Sequence, residues 1–181
     1  MSKAQKQESF EGEGFLKSRD CFGGSLLKTS NAKTARPLDS KLPIHMVLRS
    51  AKGGLRLPKT FNGVNEIVDR SCRKHGVTVY KYANVGNHIH LLIKIPQRRR
   101  WNAFIRELTG KIAQFVSVNS GITIDGKFWA QRPFTRIVKG WKKAFRIAYN
   151  YVWLNELESQ GHISRVQIKT LRDLRDIFES S

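Results

Sequence analysis

Acidic residues are scarce in this chain of 181: 14 Asp and Glu stand against 33 Lys and Arg, a net charge of +19. So few carboxylates argue against a two-metal nuclease, which gathers acidic ligands around paired ions. The excess of the other sign is a footprint for a polyanion, because basic side chains set on phosphates release counterions. Cysteine is as rare: Cys21 and Cys72 supply neither a disulfide framework nor a C-x-x-C zinc knuckle, which suits a reducing cytoplasm. Long apolar runs are missing too. Nothing approaches the roughly 18 to 20 residues of a membrane span, and Met1-Ser2-Lys3-Ala4-Gln5 opens no apolar signal segment. The expectation is a soluble, unsecreted cytoplasmic protein with no membrane partner. Hydrophobic residues make up 40%, slightly low for a globular domain, which implies that part of the chain is unfolded. Trp and Tyr interleaved with the charge can stack on unpaired bases, so nucleic acid is the expected partner; a merely cationic or ribosome-associated protein is the plainer reading.

What is present centres on Gly86-Asn87-His88-Ile89-His90-Leu91-Leu92-Ile93, which reads as a buried strand. Side chains alternate along a strand, so His88 and His90 share one face while Ile89, Leu91, Ile93 and Ile95 form an apolar other face. Same-face neighbours are about 6.5 to 7 Å apart, a gap that two imidazoles can close on one divalent ion at about 2.1 Å per bond. Two strand-end histidines satisfied near Asn87 fit the same spacing.

Residues 1–40, rich in Ser, Gly, Lys and Gln, are expected to form a basic arm that is disordered or that orders on a partner. Pro43 to Arg49 reads as a first strand, with His45 as a locally bonded strand histidine or a neighbour of the metal. Lys52 in Ala51-Lys52-Gly53-Gly54 is placed to meet a phosphate, unless the glycines only make a turn. Thr60 caps an expected helix from Phe61 to His75 that Gly76 ends, with His75 as a dipole partner. Val77 to Ala83 forms an antiparallel hairpin with the histidine strand. Arg98, Arg99, Arg100 and Trp101 lead into an amphipathic helix reaching Val118, and are either a solvated helix entrance or a phosphate-and-base contact. A short hairpin-like piece around Ile124 to Lys127 precedes a last strand, Thr135 to Val138. From Gly140 to Glu158 another helix sets Trp141, Phe145, Ala148 and Val152 toward the core, Tyr151 and Asn155 one turn apart on one flank, and Tyr149 on the other. A terminal amphipathic helix is expected over 163–181, leaving a main domain over 41–162.

Taken in order, Pro43-Ile44-His45-Met46-Val47-Leu48-Arg49, Asn87-His88-Ile89-His90-Leu91-Leu92-Ile93 and Tyr151-Val152-Trp153-Leu154-Asn155 resemble the HUH endonucleases. Nearest in pattern are the single-tyrosine transposases of insertion sequences and the REP-associated tyrosine transposases; Phe128-Trp129-Ala130-Gln131-Arg132 is similar to their aromatic-plus-arginine segment. The resemblance implies an α+β, ferredoxin-like antiparallel sheet with helices on one face and the other open to single-stranded DNA, plus a separate helix carrying the tyrosine. It makes Tyr151 the nucleophile and His88, His90 and Asn155 the ligands of Mg²⁺ or Mn²⁺. It also implies a homodimer, its active site completed either by its own tyrosine helix or by the partner's, and a single-stranded DNA substrate with hairpin or palindromic ends, in a prokaryotic cytoplasm. Nucleic-acid contacts are expected at Arg49, Lys52, Arg98, Arg99, Arg100, Trp101, Arg132, Lys142 and Lys143. Asn155-Glu156 stands where the family often has Asn-Pro, and Pro133-Phe134 where relatives tend to have aromatic pairs, departures that bear on substrate choice. A tyrosine needs a nearby cation to be nucleophilic at neutral pH, and Lys142, Lys143 and Arg146 are available on its helix. The rival reading is a domesticated binder of single-stranded nucleic acid on the same scaffold.

Overall fold

The computed structural model describes residues 20–27, 34–123 and 125–163, the Trp141 side chain excepted. The elements are β1 (Cys21–Phe22), β2 (Ile44–Arg49), α1 (Phe61–His75), β3 (Thr78–Asn84), β4 (His88–Lys94), α2 (Trp101–Asn119), β5 (Phe134–Ile137) and α3 (Trp141–Ser159). One antiparallel sheet has the order β1-β5-β2-β4-β3.

The alternation of β4 decides which side is core. Ile89, Leu91 and Ile93 stand opposite Leu48, Met46 and Ile44 of β2, and all six are at most 1% exposed. Val64, Val68 and Cys72 of α1 and Phe104, Leu108, Ile112 and Val116 of α2 close this layer, each large buried side chain contributing about 1.5 to 3 kcal/mol. Gly63 explains how closely α1 meets α2, since a Cβ there would lie 2.2 Å from the Phe115 ring. Gly76 ends α1 in the left-handed region, φ 65, where a side chain is strained. Thr60 precedes α1 but does not cap it with its hydroxyl, which donates to the Gly54 carbonyl at 2.6 Å. His75, expected to serve the helix dipole, instead bonds Glu107 of α2 at 2.9 Å.

The opposite face of the sheet is not left open. Ala144, Ala148 and Val152 of α3 pack on Ala83, Leu92 and Val138, so the helix bearing Tyr151 covers the histidine side of β3 and β4. Small residues at the seam let the helix come close. The fold is therefore an antiparallel sheet with two helices on its core face and the tyrosine helix apart from them on the other.

The described part of the arm also departs from expectation. Cys21 and Phe22 pair with Arg136 and Thr135 on the outer edge of β5, giving that strand's backbone groups partners. Arg36 then lies over the rings of Phe22 and Trp101, 4.5 and 5.4 Å from their centroids. It donates to Pro133 O at 2.8 Å and Thr135 Oγ1 at 2.7 Å. Residues 1–19 and 28–33, Ile124 of the expected hairpin-like piece, and the terminal helix from residue 164 lie outside the described residues.

Candidate active site

β4 begins at His88, and its alternation sets His88 and His90 on one face with ring centroids 4.6 Å apart. Their Nδ1 atoms are both engaged, His88 with Asn87 Oδ1 at 2.5 Å and His90 with His45 Nε2 at 3.2 Å. Both Nε2 atoms are buried. His45 thus has a histidine as its partner, 45 positions away in the chain. The β2–β4 register sets Val47 opposite His90 and His45 opposite Leu92, so His45 meets His90 on the diagonal. Burial, then the charge of Arg136, then His88 push the His45 imidazolium down to about 3, so the ring is neutral at neutral pH.

α3 brings Tyr151 onto this pair. Its ring stands edge-on to His45 and His90, with centroids 5.6 and 5.5 Å away. One turn on, Asn155 is 4% exposed and its Nδ2 donates to the Tyr151 carbonyl at 2.6 Å; of its two amide atoms, Oδ1 is the one with the chemistry of a cation ligand. Arg136 stands opposite His45 in the β2–β5 register. Its guanidinium acts electrostatically on both His45 and Tyr151; burial lowers its pKa while Cys21 and Tyr151 raise it, and the group remains a cation. Arg136 is the charge that sequence reasoning missed. Lys142, Lys143 and Arg146 are all exposed, and Lys142 lies about half a turn around α3 from Tyr151 at 100° per residue. The signal for Arg136 is its place in the β5 alternation, readable only once β5 is paired with β2.

Other expected site residues separate into groups. Arg49 is exposed on the histidine face, opposite His88, at the rim of the site. Lys52 and Arg132 are exposed in the loops after β2 and before β5. Arg98, Arg99 and Arg100 follow the far end of β4, about 20 Å of strand from His88, so they cannot share its phosphate. Trp101 is 4% exposed, packed on Phe104 and Arg36; it is a core side chain and presents no face to a base. Tyr149 turns the other way, toward Phe145 and Lys81.

Among the described residues no group of three or more His, Cys, Asp or Glu side chains is placed to hold a metal ion. The imidazoles of His88 and His90 and, on α3, the carboxamide of Asn155 are uncharged donors of a kind that divalent ions accept. Two buried Nε2 atoms on one sheet face, each with its Nδ1 tied, fit such an ion.

A sequence profile of the family described as "Transposase IS200 like" matches residues 40–152. No curated protein matches the chain. Among solved structures, a REP-associated tyrosine transposase bound to a REP hairpin aligns over 74% of this chain and 76% of its own, at 13% identity and a TM-score of 0.53, a likeness of fold. A candidate transposase from Deinococcus radiodurans R1 aligns over 69% of this chain and 98% of its own, at 15% identity and a TM-score of 0.42, from which nothing further is read.

Proposed function

The chain belongs to the IS200-like transposase family, and from that premise we propose that it nicks and rejoins single-stranded DNA near hairpins through a 5′-phosphotyrosine on Tyr151. The observation that carries this is Tyr151 seated on His45 and His90 of its own chain, with Arg136 facing His45 across the strand pair.

In this reading the Tyr151 hydroxyl, losing its proton, attacks the scissile phosphorus. The new Oη–P bond replaces the P–O3′ bond, and the departing O3′ takes up a proton as a free 3′-hydroxyl. One phosphoester is exchanged for another, so a second 3′-hydroxyl attacking the phosphotyrosine rejoins DNA without ATP. Arg136 supports the phenolate and the charge that builds on the phosphoryl oxygens. His88, His90 and Asn155 would hold Mg²⁺ or Mn²⁺, which when bound polarises the scissile phosphate as a Lewis acid. His45 and His90, 7% and 1% exposed, keep water from that side of the phosphotyrosine. Arg49 and Lys52 at the rim, with Arg132, take the strand's phosphates as it enters.

The hairpin as partner is carried over from the hairpin-bound relative and suits the remaining basic surface at Arg98, Arg99 and Arg100. A homodimer, which joining two ends favours, would bring two such sites together. No helix among the described residues is long and apolar enough to cross a membrane, and we place the activity on DNA in the prokaryotic cytoplasm.

Incubation with a hairpin-flanked oligonucleotide and Mn²⁺ tests the reading: wild type leaves a denaturant-resistant protein–DNA adduct, and Tyr151→Phe leaves none while still shifting the DNA. An adduct from Tyr151→Phe rules this residue out, and a wild type that binds DNA without forming one favours the domesticated binder.

A further inference from the structure

We propose that His45 is a positioning residue for metal binding, its Nε2 accepting the Nδ1–H of His90 and so holding His90 in the tautomer whose Nε2 is bare. The inference rests on the reading of His88 and His90 as ligands, and adds a residue that acts through one of them.

The contact is built for a hydrogen bond. The rings of His45 and His90 are within 3° of parallel, with centroids 5.4 Å and facing nitrogens 3.2 Å apart. The nitrogen gap is shorter than the centroid gap by about two ring radii, so the rings meet edge to edge and do not stack. The rings of Tyr151 and Phe134, crossed at steep angles to His45 with centroids 5.6 and 6.5 Å from its own, hold that ring's orientation.

A neutral imidazole carries one proton on one of two nitrogens, and a ligating nitrogen must be the bare one. For His88 the neighbour decides: Asn87 Oδ1 accepts, so the proton sits on Nδ1 and Nε2 is left for a cation. For His90 the neighbour is another imidazole, which can donate or accept. Only the arrangement in which His45 Nε2 accepts leaves His90 Nε2 bare beside that of His88, and His45 then keeps its own proton on Nδ1. Histidine ligands ordinarily hand their second N–H to such an acceptor, and losing it costs about 10- to 100-fold in metal affinity. Here the acceptor comes from the neighbouring strand, so the β2–β4 register sets it.

The chain holds five histidines, few enough for a histidine ¹⁵N spectrum of the full-length protein. In metal-free wild type, long-range ¹H–¹⁵N correlations should place the His90 proton on Nδ1, and in His45→Leu on Nε2. Mn²⁺ affinity, read by electron paramagnetic resonance without DNA, should fall about 10- to 100-fold in His45→Leu and return to within a few-fold in His45→Gln, whose Oε1 can accept. If His45→Leu does not fold, the wild-type spectrum and the affinity of His45→Gln decide. A His90 proton on Nε2 in wild type, or undiminished Mn²⁺ binding by folded His45→Leu, overturns the role of His45 while adduct formation leaves the proposed reaction standing. Wild type that binds no Mn²⁺ removes the ligand reading and this inference together.

Discussion

Lys81 on β3 reaches across to Glu156 on α3, Nζ to Oε2 at 2.6 Å, with the rings of Tyr149 and Trp153 at 5.8 and 6.0 Å from the same ammonium. Those three residues form one stripe along α3, so a single lysine grips the tyrosine helix from the sheet, while Arg56 holds its end through Ser159 at 3.1 Å. Both partners of the ion pair are partly exposed, 20% and 30%, which limits it to about 1 kcal/mol. Lys81→Ala should therefore slow adduct formation up to about fivefold with DNA affinity nearly unchanged, and the reversed pair Lys81→Glu/Glu156→Lys should recover most of the loss. An unchanged adduct rate in Lys81→Ala would release Lys81 from this role.

Arg136→Gln removes the cation that faces His45 and acts electrostatically on Tyr151 while keeping a polar side chain. Adduct formation in single turnover should drop about 100-fold, the scale of losing one donor aimed at developing charge. Lys142→Ala and Lys143→Ala, exposed on α3, should lower DNA affinity without that loss of rate. Equal effects of all three on the rate would mean that Arg136 supplies only general charge.

Ala148 is 2% exposed in the seam between α3 and the sheet. Ala148→Leu overfills this seam, costing about 1 to 3 kcal/mol, and tilts Tyr151 away from His45 and His90. Urea unfolding should report the first effect and adduct yield the second; a variant of wild-type stability and yield would mean the seam has slack.

Glu107 on α2 binds Lys111, Lys74 and His75, at 2.6, 2.8 and 2.9 Å. These bonds pull its carboxyl down to about 2, below the roughly 4.3 of an unfolded glutamate. The stabilisation is therefore complete above about pH 4.3 and is lost as pH falls through 2. The gap in urea midpoint between wild type and Glu107→Gln should be present at pH 5 and close on acidification toward pH 2. A gap independent of pH would trace the effect to shape and not charge.

The pattern of residues told which way side chains face. Ile89, Leu91 and Ile93 are core, His88 and His90 share the other side, and the helix from Phe61 to His75 has the bounds its spacing indicates. Trp101 shows where this fails: a tryptophan after three arginines looks like a base-stacking residue, yet its ring fills the space between Phe104 and Arg36, since composition cannot say which neighbour comes to cover a side chain.

The sequence by itself determined the faces of the strands and helices, the polyanion preference of a +19 chain, and the one-turn spacing of Tyr151 and Asn155, because all three follow from backbone periodicity or from counting charge. Tertiary structure alone decided that His45 meets His90, that Arg136 faces His45, that residues 21 and 22 extend the sheet, and that α3 packs over the histidine side. Each of those depends on strand register or on a docking contact between segments far apart in the chain, and no local period encodes what will lie opposite.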